Sequence, residues 1–116
     1  MTPEMQKLID SGLKQMTELG GEFAIEDPIK TVVLKYTTQV VSGLLHEILL
    51  ELRYSTGSKL VSLRLLDQKW KGIIHRLKRA CVYDATSSNI IPSTCSTAEE
   101  CQTLLDTHGK CWTRPV

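Results

Sequence analysis

The sequence predicts an α+β fold in which one N-terminal helix packs on an antiparallel meander of four or more strands, followed by an irregular C-terminal extension with a short helix. Three observations predict it. Residues 3–19 place apolar side chains at spacings of three and four, the repeat of one helix face. From Lys30 to Cys81 the apolar spacing falls to two in four successive segments. Short connections join those segments, which suits a meander buried on one face under a single helix.

The helix comes first. Met5, Leu8, Ile9, Gly12, Leu13, Met16 and Leu19 form its apolar stripe. Thr2 followed by Pro3 fits an N-cap and first helical position, and Gly20-Gly21 fits the stop. Gly12 costs the helix about 1 kcal/mol against alanine, a cost explained if the helix lies close against something flat.

After Asp27-Pro28 the strands begin. In KTVVLKYTTQV, Val32, Leu34, Tyr36 and Val40 are expected on one face and Lys35, Thr37 and Gln39 on the other. In LLHEILLELRY, Leu44, His46, Ile48, Leu50, Leu52 and Tyr54 share a face, with Glu47, Glu51 and Arg53 opposite. His46 reads as a satisfied, partly buried side chain. A turn at Ser55–Ser58 leads to LVSLRLLD, and a break at residues 68–72 leads to IIHRLKRAC. Beyond Cys81 the text changes. VYDATSSNIIPSTC is turn-rich, and Ser96 to Glu99 has the capping-box pattern ahead of a helix ending near Gly109. Residues 1–81 are thus read as the main body, and 82–116 as an extension of the same domain.

Composition narrows the function. With 116 residues there is one core, and a net charge of +1 lacks the basic excess of a dedicated nucleic-acid binder. The run His75–Arg79 alternates with apolar residues and reads as a solvated strand face. No apolar run is long enough to span a membrane. MTPEMQKLID has no apolar leader core, so the chain is expected either to be cytosolic or to have lost a leader. Cys81, Cys95, Cys101 and Cys111 show no C-x-x-C spacing, and the three histidines are scattered, so neither a metal nor a cofactor is expected. Two disulfides tethering the extension are expected, and three connectivities are open.

Two stretches do not fit a plain sheet. Gln39-Val40-Val41 runs into Ser42-Gly43, and valines do not serve turn chemistry. They are either the last paired residues of a strand or an exposed apolar tip. Trp70, between Lys69 and Lys71, lies in the break between the third and fourth strands, at the same end of a meander. An indole there is hard to bury and is a common interface anchor.

QVVSG resembles the first hairpin loop of the cystatins, the stefins included, which inhibit papain-like cysteine proteases. TPEMQKLID looks like a stefin helix start, KYTTQVVSG with LELR resembles the family's next two strands, and Trp70, Gly72 and Cys81 follow in the family's order. The resemblance covers roughly residues 2–81. Several positions depart from it. Lys69 stands where the family has Pro. Val61 stands where secretory members have the partner of Cys81, so that pairing is excluded. The Asn used against legumain is missing near Phe23, and the extension has no counterpart. The resemblance implies a wedge that occludes the protease cleft without covalent chemistry. Gln39, Val40, Val41, Ser42 and Gly43 would form one tip, Lys69 and Trp70 a second, and Met1, Thr2 and Pro3 a short trunk. Such a trunk leads us to expect preference for cathepsin L-like enzymes over cathepsin B. The chain would be a monomer, with domain swapping as a route to a dimer, and secreted, with the cytoplasm as the alternative. A cystatin scaffold used only for binding or carriage is the rival reading. A Cys–His hydrolase using Cys81 or Cys101 with His75 or His108 has nothing to orient it.

Overall fold

The computed structural model describes residues 2–84 and 95–115; Met1 and most of the turn-rich stretch after Asp84 lie outside the described residues. Helix α1 (Pro3–Glu18) starts where expected, with the Thr2 hydroxyl accepting from the Met5 N–H at 3.2 Å. The strands β1 (Lys30–Val41), β2 (Gly43–Tyr54), β3 (Gly57–Gln68) and β4 (Ile73–Asp84) follow, then α2 (Ala98–His108) and β5 (Lys110–Thr113). The sheet is antiparallel throughout, in the order β1-β2-β3-β4-β5. The fold is therefore α+β with five strands, the fifth supplied by the extension.

Helix α1 covers one face. Ile9 and Met16 are buried against Leu50, Leu63, Leu65 and Leu77. Gly12 is explained here. A Cβ on it would lie 2.8 Å from Leu63 Cδ1 and 3.1 Å from Leu65 Cδ1, so the missing side chain lets the helix settle onto β3. From the end of α1, residues 24–29 return along the helix. The Ile25 N–H donates to Thr17, and the Tyr54 hydroxyl donates to the Glu26 carbonyl at 2.8 Å.

The expectation of one buried face is corrected. Leu49, Leu60 and Cys81 on the second face are buried under Cys101 and Leu105 of α2. The signal lay in Ile48-Leu49-Leu50: consecutive apolar residues are what a strand needs when both faces are covered. The extension is thus a second layer. Its helix is capped one residue later than the sequence pattern suggests, with the Thr97 hydroxyl accepting from the Glu100 N–H and the Glu100 carboxylate accepting from Ser96 N–H at 2.9 Å.

Three register shifts also displace the expected alternation, one of them beside Asp67, where Leu66 pairs with Arg76 and Gln68 with Ile73. Val33 pairs with Leu50 and Lys35 with Leu49, leaving Leu34 as an extra residue. Val33 therefore packs on the α1 side and Leu34 on the α2 side, rather than Val32 and Leu34 sharing the face of Tyr36. In β4, Leu77 pairs with Leu65 and Arg79 with Arg64, so Lys78 is the extra residue. Leu77 and Ala80, three apart, both join the α1 core.

The cysteine connectivity is Cys81–Cys111, which ties β4 to β5, and Cys95–Cys101, which closes the start of α2. Trp112 packs partly buried against the α1 core, with the Arg114 guanidinium over its ring at 5.4 Å.

Candidate binding edge

The two unexplained stretches meet at one end of the sheet. Val41 pairs with Gly43, leaving Ser42 alone at the apex. Gly43 has φ +129°, and a Cβ there would collide with the Asp67 carbonyl, so both the conformation and the close approach of β3 call for glycine. From the other side, the Gln68 amide donates to the Ser42 carbonyl, which ties the first tip to the start of the second. Lys69–Lys71 form a single 3-10 turn, closed by Gly72 in the left-handed region at φ +69°.

The side chains at this end are apolar and open to solvent. Val40 is 85% exposed, Trp70 66%, Ile74 63% and Val41 43%. The valines are at once the last paired residues of β1 and an exposed tip, so the two readings of the sequence are both correct. Gln39 pairs with Leu45 and is exposed. Ile74, which the sequence reading did not single out, adds to the same apolar end.

A polar cluster supports the tips from beneath. His46 on β2 is buried, with Nε2 2.8 Å from Asp67 Oδ2 and Nδ1 2.8 Å from the Tyr36 hydroxyl. An ionised carboxylate only accepts, so the His46 Nε2–H donates to Asp67, and Nδ1 shares a hydrogen bond with the Tyr36 hydroxyl. Asp67 Oδ1 accepts from the His75 N–H at 2.6 Å, and the His75 ring stands edge-on to that of His46. His75 has φ +50°, the one positive value among the described non-glycine residues. Its backbone is held in that sparsely populated region by the carboxylate. Burial works to raise the Asp67 pKa, but the bonds from His75 and His46 and the charges of both rings overcome it and hold the carboxyl below its ordinary value. Asp67 therefore joins three strands: its side chain reaches β2 and β4, and its carbonyl meets Gly43.

Thr2 and Pro3 are not brought to this edge. Thr2 lines a shallow depression with Met5, Lys30–Val33 and Arg53, at the far end of β1. Met1 lies outside the described residues. The described cysteines are all paired, so Cys81 and Cys101 present no thiolate to His75 or His108. Among the described residues no group of His, Cys, Asp or Glu is arranged to hold a metal, and no helix is long and apolar enough to cross a membrane. No family model matches this chain, and neither a curated protein nor a solved structure is detectably similar to it.

Proposed function

We propose that this chain is a reversible, non-covalent inhibitor of papain-like cysteine proteases, built on a cystatin-like scaffold. One observation carries the reading. The two segments that resemble the family's inhibitory loops are side by side, tied by Gln68 to Ser42, and present Val40, Val41 and Trp70 to solvent. Such enzymes hold a thiolate–imidazolium pair in a cleft. The two tips would enter on either side of the thiolate and offer it no scissile peptide. Because the sheet and Asp67 hold the tips before binding, little conformational entropy is lost on docking. Open-cleft, cathepsin L-like endopeptidases are the favoured targets, since a wedge of two loops meets least obstruction there. Two disulfides fit an oxidising, extracellular setting, and we read the chain as secreted.

Titration of papain and cathepsin L against the protein tests this. Reversible, competitive loss of activity is expected. No inhibition of either enzyme at micromolar concentration would leave the second reading, a cystatin-like scaffold used for binding alone. That reading draws on Lys69, which replaces the stiffening proline of the second loop, and on the distance of Thr2 from the tips.

A further inference from the structure

Charge is unevenly divided along this nearly neutral chain. Between Thr2 and Ile29 the acids Glu4, Asp10, Glu18, Glu22, Glu26 and Asp27 outnumber Lys7 and Lys14. From Lys59 to Arg79 the balance reverses: Arg64, Lys69, Lys71, Arg76, Lys78 and Arg79 join Lys59 against Asp67 alone. The fold concentrates part of this charge on the sheet face that α2 covers incompletely. Helix α2 sits over Leu49, Leu60 and Cys81. Toward the tips the same face is open, and cross-strand pairing places Glu47, Arg64 and Arg79 in one row and Leu45, Leu66 and Arg76 in the next. Lys35, Arg64 and Arg79 line a groove of about 340 Å³ against α2, with Thr37, Ser62 and Gln102 supplying hydroxyl and amide groups.

Arg64 is directly opposite Arg79, and like charges in that position repel. Of the groove cations Lys35, Arg64 and Arg79, only Arg64 has a carboxylate partner among the described residues, Glu47 at 3.2 Å. Asp106, on the α2 wall, takes a hydrogen bond from Gln102 instead. Among the described residues the Arg79 guanidinium reaches the Cys111 sulfur, at 3.6 Å. An external anion would offset the repulsion.

We propose that this groove, with Arg76 beside it, forms a binding site for a sulfated polysaccharide. Arg64 and Arg79 face each other on neighbouring strands about 4.8 Å apart, with Arg76 three residues along β4 and Lys35 on β1 beyond Glu47, so a linear polyanion lying along the groove can meet these cations in turn. Sugar hydroxyls find partners in Thr37, Ser62 and Gln102. The groove lining contains no aromatic side chain on which a nucleobase would stack. The disulfides fit an extracellular setting, where sulfated glycans are the abundant polyanions. The site is on the sheet face, separate from the tips, and does not depend on protease inhibition.

Calorimetric titration with a size-defined heparin oligosaccharide tests it. Saturable binding that weakens with added salt is expected, together with amide shifts at Thr37, Ser62 and Gln102 in the NMR spectrum of the unaltered protein. Arg76→Ala with Arg79→Ala should weaken binding about 25-fold, at about fivefold per cation. Lys7→Ala with Lys14→Ala on α1 should leave it within about twofold, a change smaller than one such pair is worth. Desulfated heparin should not bind. Undetectable binding, equal losses in the two double variants, shifts confined to other surfaces, or equally tight binding of polyglutamate would each overturn the proposal.

Discussion

Trp70 and Trp112 carry the same side chain in opposed settings. Trp70 is largely exposed on its 3-10 turn, whereas Trp112 packs against the α1 core beside Cys111. A central interface tryptophan costs about 2 to 4 kcal/mol when cut to alanine, so Trp70→Ala should weaken protease inhibition about 30-fold to several hundred-fold. Its melting temperature should barely move, because an exposed side chain contributes little to the core. Trp112→Ala should lower the melting temperature and leave the inhibition constant nearly unchanged. Measuring both quantities on both variants decides the matter, and early melting of Trp70→Ala with intact inhibition would remove the second tip from the site. Asp67 makes the other residue-scale prediction. Its folded-state pKa is held below the ordinary aspartate value of 3.8. A depressed carboxylate stabilises the fold above the unfolded-state value, and that stability is lost as pH falls through the folded-state value. Wild type should therefore lose stability below about pH 3.8, and Asp67→Asn should flatten that part of the profile, as thermal melts across acid pH would reveal. At neutral pH, Asp67→Ala leaves the His46 and His75 donors without an acceptor and should cost about 2 to 4 kcal/mol. Asparagine should cost less, because its oxygen still accepts from His75 and its amide can face His46 once the ring proton moves to Nδ1.

At the scale of elements, the helix was legible because its stripe, cap and stop agree, and β2 and β3 were legible because their strands run nearly without interruption. The bulges at Leu34 and Lys78 were not legible. Each adds one residue to a strand of ordinary composition, and only the partner strand shows that the count is off. The tips were found through residues that suited a strand or an interface better than a turn. The Asp67 cluster was half visible, in a histidine set among leucines, but its partner lay twenty-one residues on in another strand. The tail helix was recognised by its cap while its role was missed, because Cys101 and Leu105 make a narrow stripe that says nothing of which surface receives it. The disulfides that anchor this layer differ in reach. Cys81–Cys111 closes 30 residues of separation and Cys95–Cys101 only 6. By loop-closure entropy the first is worth between about 3 and 4 kcal/mol and the second between about 2 and 3. Replacing both cysteines of a pair by alanine should therefore cost more for Cys81 and Cys111 than for Cys95 and Cys101. Equilibrium denaturation orders the two variants, and the reverse order would mean that the short loop fixes α2 more than entropy alone allows.

The whole molecule is three layers deep, with α1, the sheet and α2 in sequence, and this bears on whether residues 82–116 are accessory. Removing everything after Asp84 would strip Cys101 and Leu105 from the second face and expose Leu49, Leu60 and Cys81, with Leu34 and Tyr83 at their margin. It would also remove β5 and leave β4 with an unpaired edge. Fully burying a large apolar side chain contributes about 1.5 to 3 kcal/mol, so uncovering Leu49 and Leu60 and losing Leu105 costs about 5 to 9 kcal/mol. A domain of this size has about 5 to 15 kcal/mol to lose. The main body should therefore not stand alone as a stable unit, even though it holds α1, four strands and both tips. The check is residues 1–84 carrying Cys81→Ser, compared with the full chain by thermal melting and by dye binding to exposed apolar surface. The fragment should melt broadly and at much lower temperature, bind the dye before melting, and inhibit proteases poorly because the sheet no longer holds the tips. A cooperative melt within a few degrees of the full chain would show that the α1 layer alone sustains the sheet and that the C-terminal layer is an addition to a complete fold.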